Sequence, residues 1–176
     1  MNPEATLAAT ETALATHLER LETNRRLTLR FLDYLHLVAR VEARERGTST
    51  DEEAERLMLA VPDGWQEGSI GWNLLHVAVY EEGCAGRPVE WERFRHGSRP
   101  GRVALPLAEL ARRLAASRRA LVERFTAWAA GDLGEPARET AQPGLSRRRV
   151  IDAAVWHEPH HLNLCDEVLR RLWVEG

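Results

Sequence analysis

Val150–Leu172, VIDAAVWHEPHHLNLCDEVLRRL, puts imidazoles where a helix ordinarily keeps aliphatic side chains. At helical period its inner stripe is Val150, Ala154, His157, His161, Leu164, Val168 and Leu172, in steps of three and four. Two histidines interrupt an apolar seam one turn apart. A buried imidazole must find hydrogen bonds or lose its charge, so such a pair calls for a reason, and metal ligation is the strongest one. Imidazoles at i and i+4 project the same way and can reach one divalent ion, at about 2.0 to 2.1 Å for zinc. Two ligands are too few, which directs attention to the other helices for a third.

Working outward, Ser69 is positioned to cap a helix reading SIGWNLLHVAVYEEGC, in which Trp72, His76, Tyr80 and Cys84 recur every four residues along one side. His76 is the candidate third ligand. The segment from Pro3 to Arg46 reads as one long helix, with Leu7, Leu14, Leu18, Leu21, Leu32 and Leu35 at helical spacing and Gly47 ending it. Its seam loosens at Asn24, Arg25 and Thr28, which either face a polar cavity or form a solvated turn, the second being the expectation. Thr50 followed by Glu53 forms a capping-box pattern for a short helix that VPDG, at Val61 to Gly64, terminates.

Gly86 to Gly101 reads as a loop carrying Trp91 and Phe94, with His96 exposed. Pro106 then suits the first position of a helix whose inner face is Leu107, Leu110, Leu114, Leu121, Phe125 and Trp128, with paired arginines outside. After a second loop, Gly131 to Gly144, Ser146 caps the last helix, although three arginines in its first turn oppose the helix dipole. Four main helices with no strand pattern and no repeat predict an all-α antiparallel four-helix bundle with an extra short helix between the first two main ones, as one domain over residues 1–176.

Composition excludes several classes. The net charge is −3 and the 24 basic residues are all arginine, so there is no basic footprint for nucleic acid, no Schiff-base lysine and no phosphate loop ending in Gly-Lys. Glu4 and Glu11 sit where a signal peptide would need an apolar core, and no run is long enough to span a bilayer. A cytoplasmic protein with no membrane partner is expected, consistent with only two cysteines, Cys84 and Cys165.

The sequence His157-Glu158-x-x-His161 also matches the zinc-protease pattern, in which the glutamate is the general base. That reading fails because a metzincin would need glycine at Leu164 and histidine at Glu167, and only fifteen residues follow His161. Glu158 and His161 form a single Glu-x-x-His, whereas di-iron bundles need a second copy and two more inward glutamates. What survives is a mononuclear site of three histidines with open coordination positions, the arrangement of catalytic zinc.

GSIGWNLLHVAVYEE, followed some eighty residues later by WHEPHHLN, resembles the DinB/YfiT-like superfamily of four-helix bundles, with a histidine on the second helix and H-x-x-x-H on the last. The resemblance implies His76, His157 and His161 as metal ligands. Zinc is the expected ion, with nickel or manganese also admitted. His160 lies off the ligand stripe and is expected to be a supporting or surface residue.

The family's activities imply a metal-dependent S-transferase with a low-molecular-weight thiol and an electrophile as partners, in a homodimer. The alternatives are a metal-dependent hydrolase, with Glu158 or another carboxylate as base, and a non-catalytic metal-binding or stress-response bundle. Two structural expectations accompany this reading. Helices alternating in direction would make Cys84 and Cys165 neighbours about 12 Å from the metal. Pro159 should kink the last helix and free the Val155 carbonyl for a side-chain or water donor.

Overall fold

The computed structural model of the chain describes residues 3–89, 100–129, 131, 133–138, 140 and 142–175, with the side chains of 3–11 and 175 outside that set. Among the described residues five helices are formed in order: α1 (Pro3–Arg46), α2 (Thr50–Leu59), α3 (Ile70–Cys84), α4 (Leu107–Ala129) and α5 (Arg147–Glu175). This is the all-α four-helix bundle with an added short helix. The side chain of Leu7 and the residues Trp91, Phe94 and His96, on which expectations were placed, lie outside what is described.

Helix boundaries follow local chemistry. The capping box of α2 is built one residue earlier than Thr50 and Glu53: Ser49, in an extended conformation, accepts from the Glu52 amide, and the Glu52 carboxylate accepts from the Ser49 amide at 2.8 Å. Both registers satisfy the same sequence pattern, and Glu53 is instead engaged by Thr48 and Arg56. Ser69 caps α3 as expected and also accepts from the Val103 amide, which ties the following loop to the helix start. That loop passes so close that a β-carbon on Gly71 would lie 1.9 Å from the Val103 carbonyl oxygen, so only glycine fits there. Pro106 stands just before α4 and its carbonyl accepts from Glu109 and Leu110.

Contacts between helices fix their directions. His17 meets Asp152, Thr28 meets Glu158 and Tyr34 meets Trp173, so α1 and α5 run parallel. His161 meets Asn73 while His157 stacks on Tyr80, so α3 and α5 run antiparallel. α4 shares the direction of α3, because Leu110 and Leu114 pack with Ile70 and Leu74, whereas Leu121 and Phe125 pack with Tyr80 and Cys84. The order of directions is therefore up, down, down, up, with α3 and α4 as parallel neighbours.

This topology corrects the cysteine expectation. Cys165 belongs to one core cluster and hydrogen-bonds the Ile70 carbonyl, while Cys84 belongs to the other, fourteen residues or about 21 Å further along α3. They cannot form a bridge without large backbone movement.

The two larger apolar clusters are separated by a polar waist that every long helix crosses. Leu32, Leu35, Leu74, Leu110 and Val168 lie on one side, and Leu14, Leu21, Leu121, Phe125 and Val150 on the other. Between them sit the buried Arg25 and Thr28 of α1, His76 and Glu81 of α3, Ser117 and Arg118 of α4, and Glu158 and His161 of α5.

Candidate metal centre

The inner face of α3 is a column of rings. Trp72 stacks on His76 with centroids 4.9 Å apart, and Tyr80 stacks on His157 across the interface at 3.8 Å. The four-residue period read from the sequence is what aligns them. Where α3 and α5 cross antiparallel, His76 falls between the levels of His157 and His161. Its Nε2 lies 3.2 Å from Nε2 of His157, and one nitrogen from each of the three imidazoles lies within 4.8 Å of the others. Two ligands of a tetrahedral zinc at about 2.05 Å would be separated by about 3.3 Å, so the His76 to His157 spacing fits a shared ion. The three-histidine cluster is a candidate divalent metal site.

The tautomer of His161 follows from its surroundings. The Asn73 amide nitrogen donates to the carbonyls of Glu67 and Ser69, at 2.9 and 3.0 Å, so its oxygen must face His161. That oxygen accepts from Nδ1 of His161 at 2.7 Å, which places the proton on Nδ1 and the lone pair on Nε2. Asn73 went unnoticed in the sequence, although an amide in the first turn of an otherwise apolar helix, three residues before His76, was a usable signal. Replacing it with leucine is expected to weaken metal binding by about 10- to 100-fold with all three imidazoles retained. Competition against a metallochromic chelator measures this, and an unchanged Kd would remove Asn73 from the site.

Behind the histidines, the waist holds a closed ionic network. Arg25 bonds Glu81 at 2.7 Å and approaches Glu158 at 3.4 Å. Arg118 bonds both carboxylates. Thr28 donates to Glu158 and Ser117 to Glu81, each at 2.7 Å. Two guanidinium and two carboxylate groups thus balance in charge. Burial pushes the Glu158 carboxyl up, against the pull of Arg25 and then Arg118. The expected solvated turn at Arg25 and Thr28 is overturned, because these side chains have partners on two other helices, Glu81 of α3 and Glu158 of α5. Arg118, assigned to an outer face with its neighbour Arg119, likewise turns inward.

Glu158 is therefore not held as a general base toward the histidines, which agrees with rejecting the protease pattern. His160 is exposed, beside the ring of His161 but outside the cluster. Pro159 lies inside α5, which continues on both sides of it from Arg147 to Glu175. The carbonyl it frees, that of Val155, accepts from the Asn24 amide at 2.9 Å, as the missing N–H required of some side-chain or water donor. The polar residues of α1 thus support the segment of α5 that carries the ligands.

Neither a search of curated proteins nor one of solved structures finds a match to this chain. The family model described as the DinB superfamily matches residues 7–165, a span that takes in the three histidines, the whole of α3 and α4 and most of α1 and α5, and the chain belongs to that superfamily.

Proposed function

We propose that His76, His157 and His161 hold one divalent ion, zinc before nickel or manganese, and that the protein is an S-transferase joining a low-molecular-weight thiol to an electrophilic carbon. The convergence of three imidazole nitrogens from two antiparallel helices carries this reading. When bound, such an ion lowers the pKa of a thiol or of water. Asn73 orients His161, while Trp72 and Tyr80 stack against His76 and His157 and limit their rotation.

The sulfur must come from a separate molecule. Cys84 and Cys165 are fully buried, and burial pushes the Cys84 thiol up to about 12 and the Cys165 thiol further, so neither is a nucleophile at neutral pH. In the transfer the thiol loses its proton to solvent, a carbon–sulfur bond forms, and the leaving group departs with its electron pair. A hydrolase would need a base other than Glu158, which Arg25 and Arg118 occupy.

Tag-free protein assayed with a panel of small thiols against an aryl halide and an epoxide, with and without Zn²⁺, Ni²⁺ and Mn²⁺, tests the proposal. Metal-dependent thiol consumption that His76→Ala abolishes is expected. Turnover without thiol would favour the hydrolase, and stoichiometric metal with no turnover would favour a non-catalytic bundle.

A second copy of the chain is the proposed protein partner, in the cytoplasm. Supporting this, Leu27, Tyr34 and Val41 recur every seven residues on α1 and are exposed, beside exposed Leu37 and the Trp173 that meets Tyr34. Sedimentation should show a dimer that Leu37→Asp with Val41→Asp dissociates; a monomeric wild type would contradict it. No helix among the described residues is long and apolar enough to cross a membrane.

A further inference from the structure

The three imidazoles of the cluster are not equally enclosed. His76 and His161 are buried, whereas His157 is only half-buried and so is held by fewer neighbours. The Asn73 amide aims His161. His157 rests on Tyr80, with the two ring planes 16° apart and their centroids separated by 3.8 Å. A stacked ring orients an imidazole only if it is itself kept from sliding, so whatever fixes Tyr80 bears on the ligand.

The phenol is anchored at its hydroxyl. The side-chain amide of Gln142 donates to the Tyr80 oxygen at 3.2 Å, and the hydroxyl also hydrogen-bonds the Cys84 thiol one turn along α3. Cys84 is wholly buried. Gln142 lies between α4 and α5, in the stretch from Gly131 to Gly144 that the sequence marks only as a loop. Its backbone is tied on both sides. The Gln142 amide donates to the Thr140 hydroxyl at 3.1 Å, and its carbonyl accepts from the Leu145 amide at 3.1 Å. Thr140 in turn donates to the Ala137 carbonyl at 2.8 Å, and the buried Ala137 packs in the same apolar cluster as Tyr80 and Cys84. Gln142 is thus presented to Tyr80 by anchored backbone and not as a side chain lying loosely on the surface.

We propose that Gln142 is a positioning residue of the metal centre: through the Tyr80 hydroxyl it holds the ring that sets the aim of His157. This rests on the three-histidine reading and adds to it a residue that is not a ligand. Gln142 makes a neutral hydrogen bond, so the effect of losing it is moderate.

Cobalt(II) serves as the probe, because its visible absorption reports the geometry of its ligands and competition with a chelator gives its Kd. Tag-free wild type, Gln142→Met, Tyr80→Phe and the double variant form a cycle in which each change removes the bond and keeps the ring stack. Each single variant is expected to bind Co²⁺ about three- to tenfold more weakly, with an altered visible spectrum, and the double variant no more weakly than Tyr80→Phe alone. Ser146→Ala controls for a merely structural effect, since it removes the cap of α5 without touching Tyr80. It should lower Tm and leave the Co²⁺ spectrum and Kd unchanged. Wild-type spectra and Kd in both single variants, additive losses in the double variant, or a Ser146→Ala change equal to theirs would overturn the role of Gln142 and leave the three-histidine site standing. A wild type that takes up no Co²⁺ would remove the metal centre and the positioning role with it.

Discussion

Arg118→Met should destabilise the protein by about 3 to 5 kcal/mol, the cost of breaking a buried ion pair while leaving its partners in place. Arg118 bonds both Glu81 and Glu158, so its loss leaves two buried carboxylates that repel each other and share only Arg25. For a chain of this size the penalty corresponds to a fall in Tm of roughly 6 to 20 °C. The pH dependence has a definite sign. Burial already raises the Glu158 carboxyl, and removing Arg118 raises it further. A group with a raised folded-state pKa favours folding below its unfolded value and loses that contribution as pH rises through the folded one. The variant should therefore be less impaired near pH 5 than at pH 8. Adding Glu158→Gln should recover part of the loss, by removing one of the stranded charges. Urea unfolding of the four proteins of the cycle measures these terms, and a loss for Arg118→Met below about 1 kcal/mol would show that the waist is not held by this network.

Metal affinity should fall steeply between pH 7.5 and pH 5.5. Ligation requires each imidazole to be neutral, so protons compete with the ion at all three ligands as the pH falls. The consequence for stability is direct, because an ion that binds only the folded chain adds about 2.7 kcal/mol when present at 100 times its Kd. That raises Tm by roughly 5 to 11 °C at pH 7.5, a gain that should vanish at pH 5.5 at the same metal concentration. Thermal unfolding with and without added Zn²⁺ at the two pH values checks both statements. A metal-induced gain of equal size at both would mean that the ion is held by carboxylates instead of by histidines.

Much of this arrangement was legible in the chain. His157 and His161 stood out because helical period alone puts them on the buried stripe of α5, and His76 because it shares a four-residue period with Trp72 and Tyr80. Periodicity reports which face of a helix is inward and nothing about which helix it meets. The antiparallel crossing of α3 and α5 was therefore invisible, and the cysteines were brought together on an assumed alternation that the shared direction of α3 and α4 breaks. The ionic waist was hidden for a related reason. Arg25, Glu81, Arg118 and Glu158 each look like solvated charges in their own helices, and their burial is tolerable only because all four meet. Pro159 was different, since a missing N–H fixes which carbonyl is freed, and the donor that Asn24 supplies was foreseeable in kind if not in name.

The central claim is that one ion is shared by His76, His157 and His161. Elemental analysis of protein purified without a histidine tag tests it most directly, with the wild type compared with His76→Ala, because that variant leaves the i, i+4 pair of α5 intact and removes only the ligand from α3. About one equivalent of a divalent metal in the wild type and a loss of most of it in His76→Ala is the expected result. Retention of wild-type stoichiometry by His76→Ala, or a wild type that neither carries nor takes up one equivalent, would contradict the three-histidine site.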